Sequence, residues 1–163
     1  MCDCGWCAVR SLVLRSAKVN GRNARSHLAS LLIMNQPSPF LEPQNLHVTV
    51  DQVDYRPQAM TPTDRPHCFV YFITIHNDTE LSVTIKGRKW VVTSDKGERS
   101  VIEGDGVMGQ FPTIEPGEEF SYNSYHLLDT RSAVAEGSYL GVDASGRTVV
   151  TRIPRFEMMV PED

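Results

Sequence analysis

Gly104-Asp105-Gly106-Val107-Met108-Gly109 has the residue types and spacing of a phosphate-binding fingerprint, G-x-G-x-x-G. In dinucleotide-binding folds the third glycine opens a helix, and the amides of its first turn hold the pyrophosphate. Here Gln110-Phe111-Pro112 and then Glu115-Pro116-Gly117 follow at once, and two prolines so placed leave no room for a helix. The glycines therefore shape a loop between strands. Two uses of such a loop remain. Its backbone amides could cradle pyrophosphate or a small molecule that contains it, with Arg88 or Lys89 lending charge. Alternatively, the glycines serve a tight, twisted connection whose surface meets a protein partner. Glu103 and Asp105 flank the loop and oppose a phosphate electrostatically, which favours the partner reading.

Other residues with chemical potential form no comparable pattern. Glu103 and Asp105, joined by Glu115, Glu118 and Glu119 if their loops converge, offer hard oxygen ligands to a divalent cation, but acidic residues at turns are ordinarily just solvated. The five histidines (His27, His47, His67, His76, His126) show no HxH, HxxH or HExxH spacing, so no metal site is expected from them. Cys2, Cys4 and Cys7 make a CxCxxC with no fourth ligand nearby. Ser124, His126 and Asp129 are the types of a catalytic triad, and a regular strand would put Ser124 and His126 on one face. No nucleophile elbow or oxyanion hole accompanies them, so no enzyme and no cofactor is expected. Trp90 and Tyr122 are expected to anchor a core rather than bind a ligand.

Charge divides the chain unevenly. Residues 1–33 carry +4 and the remainder −8, for a total of −4. An acidic domain repels phosphate backbones at long range, which argues against nucleic acid as a partner. The apolar run Leu28–Met34 is too short to span a bilayer, so no membrane partner is expected either. Arg- and Ser-rich and lacking period-two alternation, residues 1–45 read as an N-terminal extension, either a disordered tail, a leader or a mis-assigned start. Four cysteines so distributed, with Cys68 inside a strand, give no disulfide framework and suit a reducing, cytoplasmic compartment.

Elements that would position the loop lie in residues 46–161. Leu46, Val48 and Val50 alternate with polar residues, as in a strand with one wet face near a sheet edge. Cys68–Ile75 is apolar on both parities and rich in aromatic and β-branched residues, as a central strand must be. Leu81–Ile85 resumes alternation after a turn at Asn77-Asp78, and either forms a hairpin with that run or passes into an opposite sheet. Arg88–Thr93, Arg99–Glu103, Phe120–Ser124, Ser138–Val142 and Thr148–Ile153 follow, separated by turn signals roughly every ten residues, with Phe156, Met158 and Val160 as a trailing segment. Seven or eight short antiparallel strands of this kind indicate an all-β sandwich. Edge strands leave monomer and homodimer both open.

Gly87-Arg88-Lys89-Trp90, Asp95-Lys96-Gly97, Glu103–Gly109, Pro112, Ile114–Gly117, Phe120-Ser121-Tyr122 and Gly137-Ser138-Tyr139 together resemble the ApaG family, also called the DUF525 domain, over Leu46 to about Pro161. The resemblance implies an immunoglobulin/fibronectin type III-like β-sandwich, found in small bacterial proteins, in an F-box protein and in a polymerase-interacting protein. It implies a link to cobalt resistance and magnesium efflux, with no established biochemical activity. Asn123–Leu128 and Ser132–Ala135 depart from the family's usual pattern.

Overall fold

The computed structural model describes residues 40–162, and the cysteines at positions 2, 4 and 7 lie outside them. Eight strands follow in order: β1 (Leu46–Tyr55), β2 (His67–Asn77), β3 (Val83–Ser94), β4 (Arg99–Asp105), β5 (Thr113–Ile114), β6 (Glu118–Leu128), β7 (Ser132–Asp143) and β8 (Thr148–Met159). They form two antiparallel sheets, β1-β2-β6 and β4-β3-β7-β8, with β5 paired to the start of β3. The all-β sandwich expected from alternation is the fold.

β2 is central in its sheet, and Phe69, Tyr71, Ile73 and Ile75 of its inner face are almost entirely buried. Opposite them lie Val83, Ile85, Trp90 and Val92 of β3 and Tyr139, Val149 and Ile153 of β7 and β8. Trp90 packs against Tyr71 at 5.1 Å and Phe156 at 5.8 Å between ring centroids. Truncating such an anchor to alanine costs about 3–5 kcal/mol.

The two open alternatives for β2 and β3 resolve into opposite sheets. Asn77, the last residue of β2 and fully buried, makes the crossing possible: its Nδ2 donates to the carbonyls of Leu81 at 2.9 Å and Ile114 at 2.8 Å. An asparagine without these acceptors would be costly to bury. At the other flank Thr151 Oγ1 donates to the Leu46 carbonyl at 2.7 Å and joins β8 to β1. Leu41 also bonds to β8, its amide to the Thr148 carbonyl at 3.0 Å and its carbonyl to the Val150 amide at 2.8 Å.

Several strands run longer than the sequence expectation, and at two places segments that read as separate are joined across a bulge. Gly87 reads as a break between Leu81–Ile85 and Arg88–Thr93, yet β3 runs through it with one extra residue, Lys86, between the pairs Ile85–Gly141 and Gly87–Leu140. Thr148–Ile153 and the trailing Phe156–Val160 segment read as separate, yet β8 is continuous through a bulge of its own, in which Pro154 and Arg155 lie opposite Glu136 alone, between the pairs Gly137–Ile153 and Ala135–Phe156. An edge strand tolerates that proline because its own bulge already interrupts the ladder there.

Candidate functional site

Lys86 decides the geometry of the glycine loop. Before this bulge Val83 and Ile85 point inward; after it the inward parity passes to Arg88, Trp90 and Val92. A one-residue insertion must exchange the faces of everything beyond it. Arg88 therefore enters the space between the sheets, half-buried, whereas Lys89 points outward and pairs with Glu103 at 2.9 Å. The two basic residues that flank the loop in sequence are thus separated in space.

Gly104 and Asp105 end β4, opposite Arg88 and Gly87. Arg88 Nη1 donates to the carbonyls of Asp105 and Gly106, at 3.0 Å each. The Gly106 amide donates to the Lys86 carbonyl at 2.8 Å, and Val107 and Gln110 exchange amide-to-carbonyl bonds at 2.8 and 2.9 Å. Met108 and Gly109, with φ of 51° and 75°, are the two central residues of that turn. Positive φ at both is the signature of a type I′ turn, a position methionine adopts only at a cost of about 1 kcal/mol or more. Gly106 is obligatory for a different reason: a Cβ there would lie 2.0 Å from the Gln110 carbonyl oxygen.

Val107 turns into the core and is completely buried, so the loop is plugged into the sandwich while its tip projects. Met108 is 51% and Phe111 53% exposed, and the Lys86 ammonium stands 5.8 Å from the Phe111 ring centroid. The structure therefore joins Arg88 and Gly104–Gly109 into one rigid unit with an apolar tip and leaves Lys89 outside it. Of the amides available for an anion nest, those of Gly106 and Val107 are already bonded to backbone carbonyls.

The other candidates are dispersed. Glu103 is paired to Lys89, and the Glu118 carboxylate accepts from the Glu115 amide at 3.3 Å. Among the described residues no group of three or more His, Cys, Asp or Glu could hold a metal. Ser124 and His126 do share the inner face of β6, but Asp129 is exposed and makes no hydrogen bond to His126. Burial lowers the His126 pKa to about 4, and its Nε2 has no hydrogen-bond partner. His126 is thus a neutral core residue, its ring tilted against Tyr71 at 5.0 Å between centroids.

One network escapes any reading by spacing. His47 and His76 stack at 4.6 Å on the outer face of the three-stranded sheet, beside Asp78 at 3.6 Å and Glu119 at 3.3 Å respectively. His76 bonds onward to Thr49 at 3.1 Å, and Asp51 accepts from Thr49 at 2.8 Å and from Thr74 at 2.7 Å. Cross-strand register assembles these residues, and no local motif announces them.

Among the described residues no helix is long and apolar enough to cross a membrane. Residues 57–143 match the family model described as the ApaG domain. The chain is 38% identical over 107 residues to Protein ApaG of Vibrio vulnificus, covering 66% of this chain and 85% of that one. Against Protein ApaG of Deinococcus radiodurans it is 38% identical over 112 residues, 68% and 86% of the two chains. A solved Bordetella pertussis structure, described as ApaA, superposes with a TM-score of 0.66 at 28% identity, over 76% of this chain and 99% of its own. The family model and both sequence and structural relatives thus agree, and the chain belongs to the ApaG domain family.

Proposed function

We propose that this domain is a non-catalytic protein-interaction module of the cytoplasm, and that the tip formed by Met108 and Phe111 is its contact. The observation that carries the reading is Met108 itself: a half-exposed apolar side chain held at positive φ, where asparagine or glycine would be unstrained. Strain at a solvent-facing position is retained where a side chain serves something other than stability. The pin from Arg88 and the plug of Val107 preorganise the tip, so a partner meets it without ordering a loop. The link to cobalt and magnesium homeostasis implied by the family resemblance runs indirectly, through this contact.

The bonded amides of Gly106 and Val107 support a protein partner over pyrophosphate as the loop's ligand. Affinity capture with the full chain tests the reading: Met108→Asn and Phe111→Ser should each lose the partner that the parent retains, with the fold intact by circular dichroism. Undiminished capture by both variants refutes it. Saturable heat on titration with pyrophosphate, abolished by Gly109→Ala, would favour the anion reading in its place.

A further inference from the structure

Inward-facing residues on one flank of the sandwich keep partial contact with solvent. Ile102 of β4 and Phe120, Tyr122 and Ser124 of β6 are only partly buried, although Ile102, Phe120 and Tyr122 pack against the core. The opposite flank is joined by the Thr151–Leu46 bond, and Leu46, Val48, Thr151 and Ile153 beside it are covered, while Val50, Val53 and Tyr55 farther along β1 are partly buried. β4 and β6 are edge strands of the two facing sheets and among the described residues no hydrogen bond joins them, so the sandwich is open along this flank, in a crevice distinct from the projecting tip at Met108.

Arg88 is the cation of this crevice. Its Nη1 is consumed by the Asp105 and Gly106 carbonyls, and among the described residues neither Nε nor Nη2 has a hydrogen-bond partner and no carboxylate pairs with it. A guanidinium anchored through Nη1 presents its Nε–Nη2 edge, the side whose two parallel N–H groups match an oxyanion. Phenols lie beside it. The hydroxyls of Tyr122 and Tyr139 bond to each other, and two O–H groups sharing one bond leave one proton free to donate. Burial raises the pKa of Tyr71, Tyr122 and Tyr139, against the opposing pull of Arg88, so all three remain neutral donors at ordinary pH.

We propose that this crevice is a binding site for a small organic acid, a carboxylate carried on an apolar or aromatic body. Arg88 takes the carboxylate through Nε and Nη2, the remaining phenolic proton of the Tyr122–Tyr139 pair adds a third contact, and Phe120 and Ile102 receive the apolar part. Inorganic phosphate satisfies the guanidinium equally well but gains nothing from Phe120 and Ile102, so the lining selects against it. Backbone amides of the glycine loop take no part, which separates this site from a pyrophosphate nest.

Nitrogen-15 NMR of the full chain, including its arginine Nε–H signals, tests the assignment. Phenylacetate should produce saturable shifts at Arg88 Nε–H and at the Phe120 and Tyr122 amides. Inorganic phosphate and the uncharged phenylacetamide should each bind at least tenfold more weakly. Arg88→Lys keeps a charge but loses the edge, and should abolish saturation; Tyr122→Phe leaves Arg88 pinned and should weaken binding several-fold. If Arg88→Lys fails to fold, Tyr122→Phe alone decides. No saturable shift with phenylacetate, equal binding of phosphate, shifts confined to residues 105–110, or parent-like binding by Tyr122→Phe would each overturn the proposal.

Discussion

Arg88 Nη1 lies 3.0 Å from the carbonyl oxygen of Gly106, eighteen residues away in the chain, and this contact ties the outgoing end of β4 to the middle of β3. With the matching bond to Asp105 it converts a glycine-rich segment into a fixed structure. Charge-assisted bonds of this kind contribute about 1.5–3 kcal/mol when desolvated and less when water reaches them, as it does at half-buried Arg88.

Arg88→Met should accordingly lower stability by about 1–2 kcal/mol in urea unfolding. Amide exchange at residues 106–110 should accelerate more than exchange in β2. Equal acceleration everywhere would show that Arg88 holds the whole sandwich rather than the loop.

Gly106 and Gly109 both have positive φ, yet they should respond differently to the same change. At Gly109 an added Cβ meets open space, so Gly109→Ala pays only for its backbone, about 1 kcal/mol. At Gly106 the new Cβ would sit 2.0 Å from the Gln110 carbonyl oxygen, so Gly106→Ala should destabilise by clearly more, about 2–4 kcal/mol. Thermal midpoints of the two variants, measured side by side, check the order.

Met108→Asn should raise stability, by about 0.5–1 kcal/mol, because asparagine tolerates the left-handed conformation that methionine resists. The same variant is expected to lose partner capture. A gain in melting temperature accompanied by loss of binding would separate the strain at this tip from any structural need for it.

His126 makes the domain acid-sensitive in a defined window. Its folded pKa, lowered by burial to about 4, lies below the ordinary value near 6.5, so the unfolded chain takes up a proton that the folded one refuses. Stability is complete above about pH 6.5 and falls as pH drops toward 4, by about 3 kcal/mol in total. His126→Leu should flatten urea midpoints between pH 7.5 and 4.5. Below that window Asp143 takes over. Its carboxyl is held at about 2, chiefly by the Ser145 hydroxyl and then, against the opposing effect of burial, by the Arg147 amide and guanidinium, so its contribution disappears as pH falls from about 3.8 toward 2.

Much of this architecture is legible along the chain because it depends on neighbours in sequence. Alternation at Leu46, Val48 and Val50, unbroken apolarity from Cys68 to Ile75, and the prolines after Gly109 determine strand, central strand and the absence of a helix through local sterics and side-chain period alone. Trp90 is likewise recognisable as core from its strand context.

Tertiary structure decided where those strands point. Bulges at Lys86 and at Pro154-Arg155 arise from register between strands, and a single extra residue exchanges the two faces beyond it, which is why Arg88 turns inward and Lys89 outward. The pairing of His47 with His76, the crevice between β4 and β6, and the occupied amides of Gly106 and Val107 depend on partners distant in sequence. Composition and spacing carry no record of such partners, because each hydrogen bond and each face is set only when two separate segments meet.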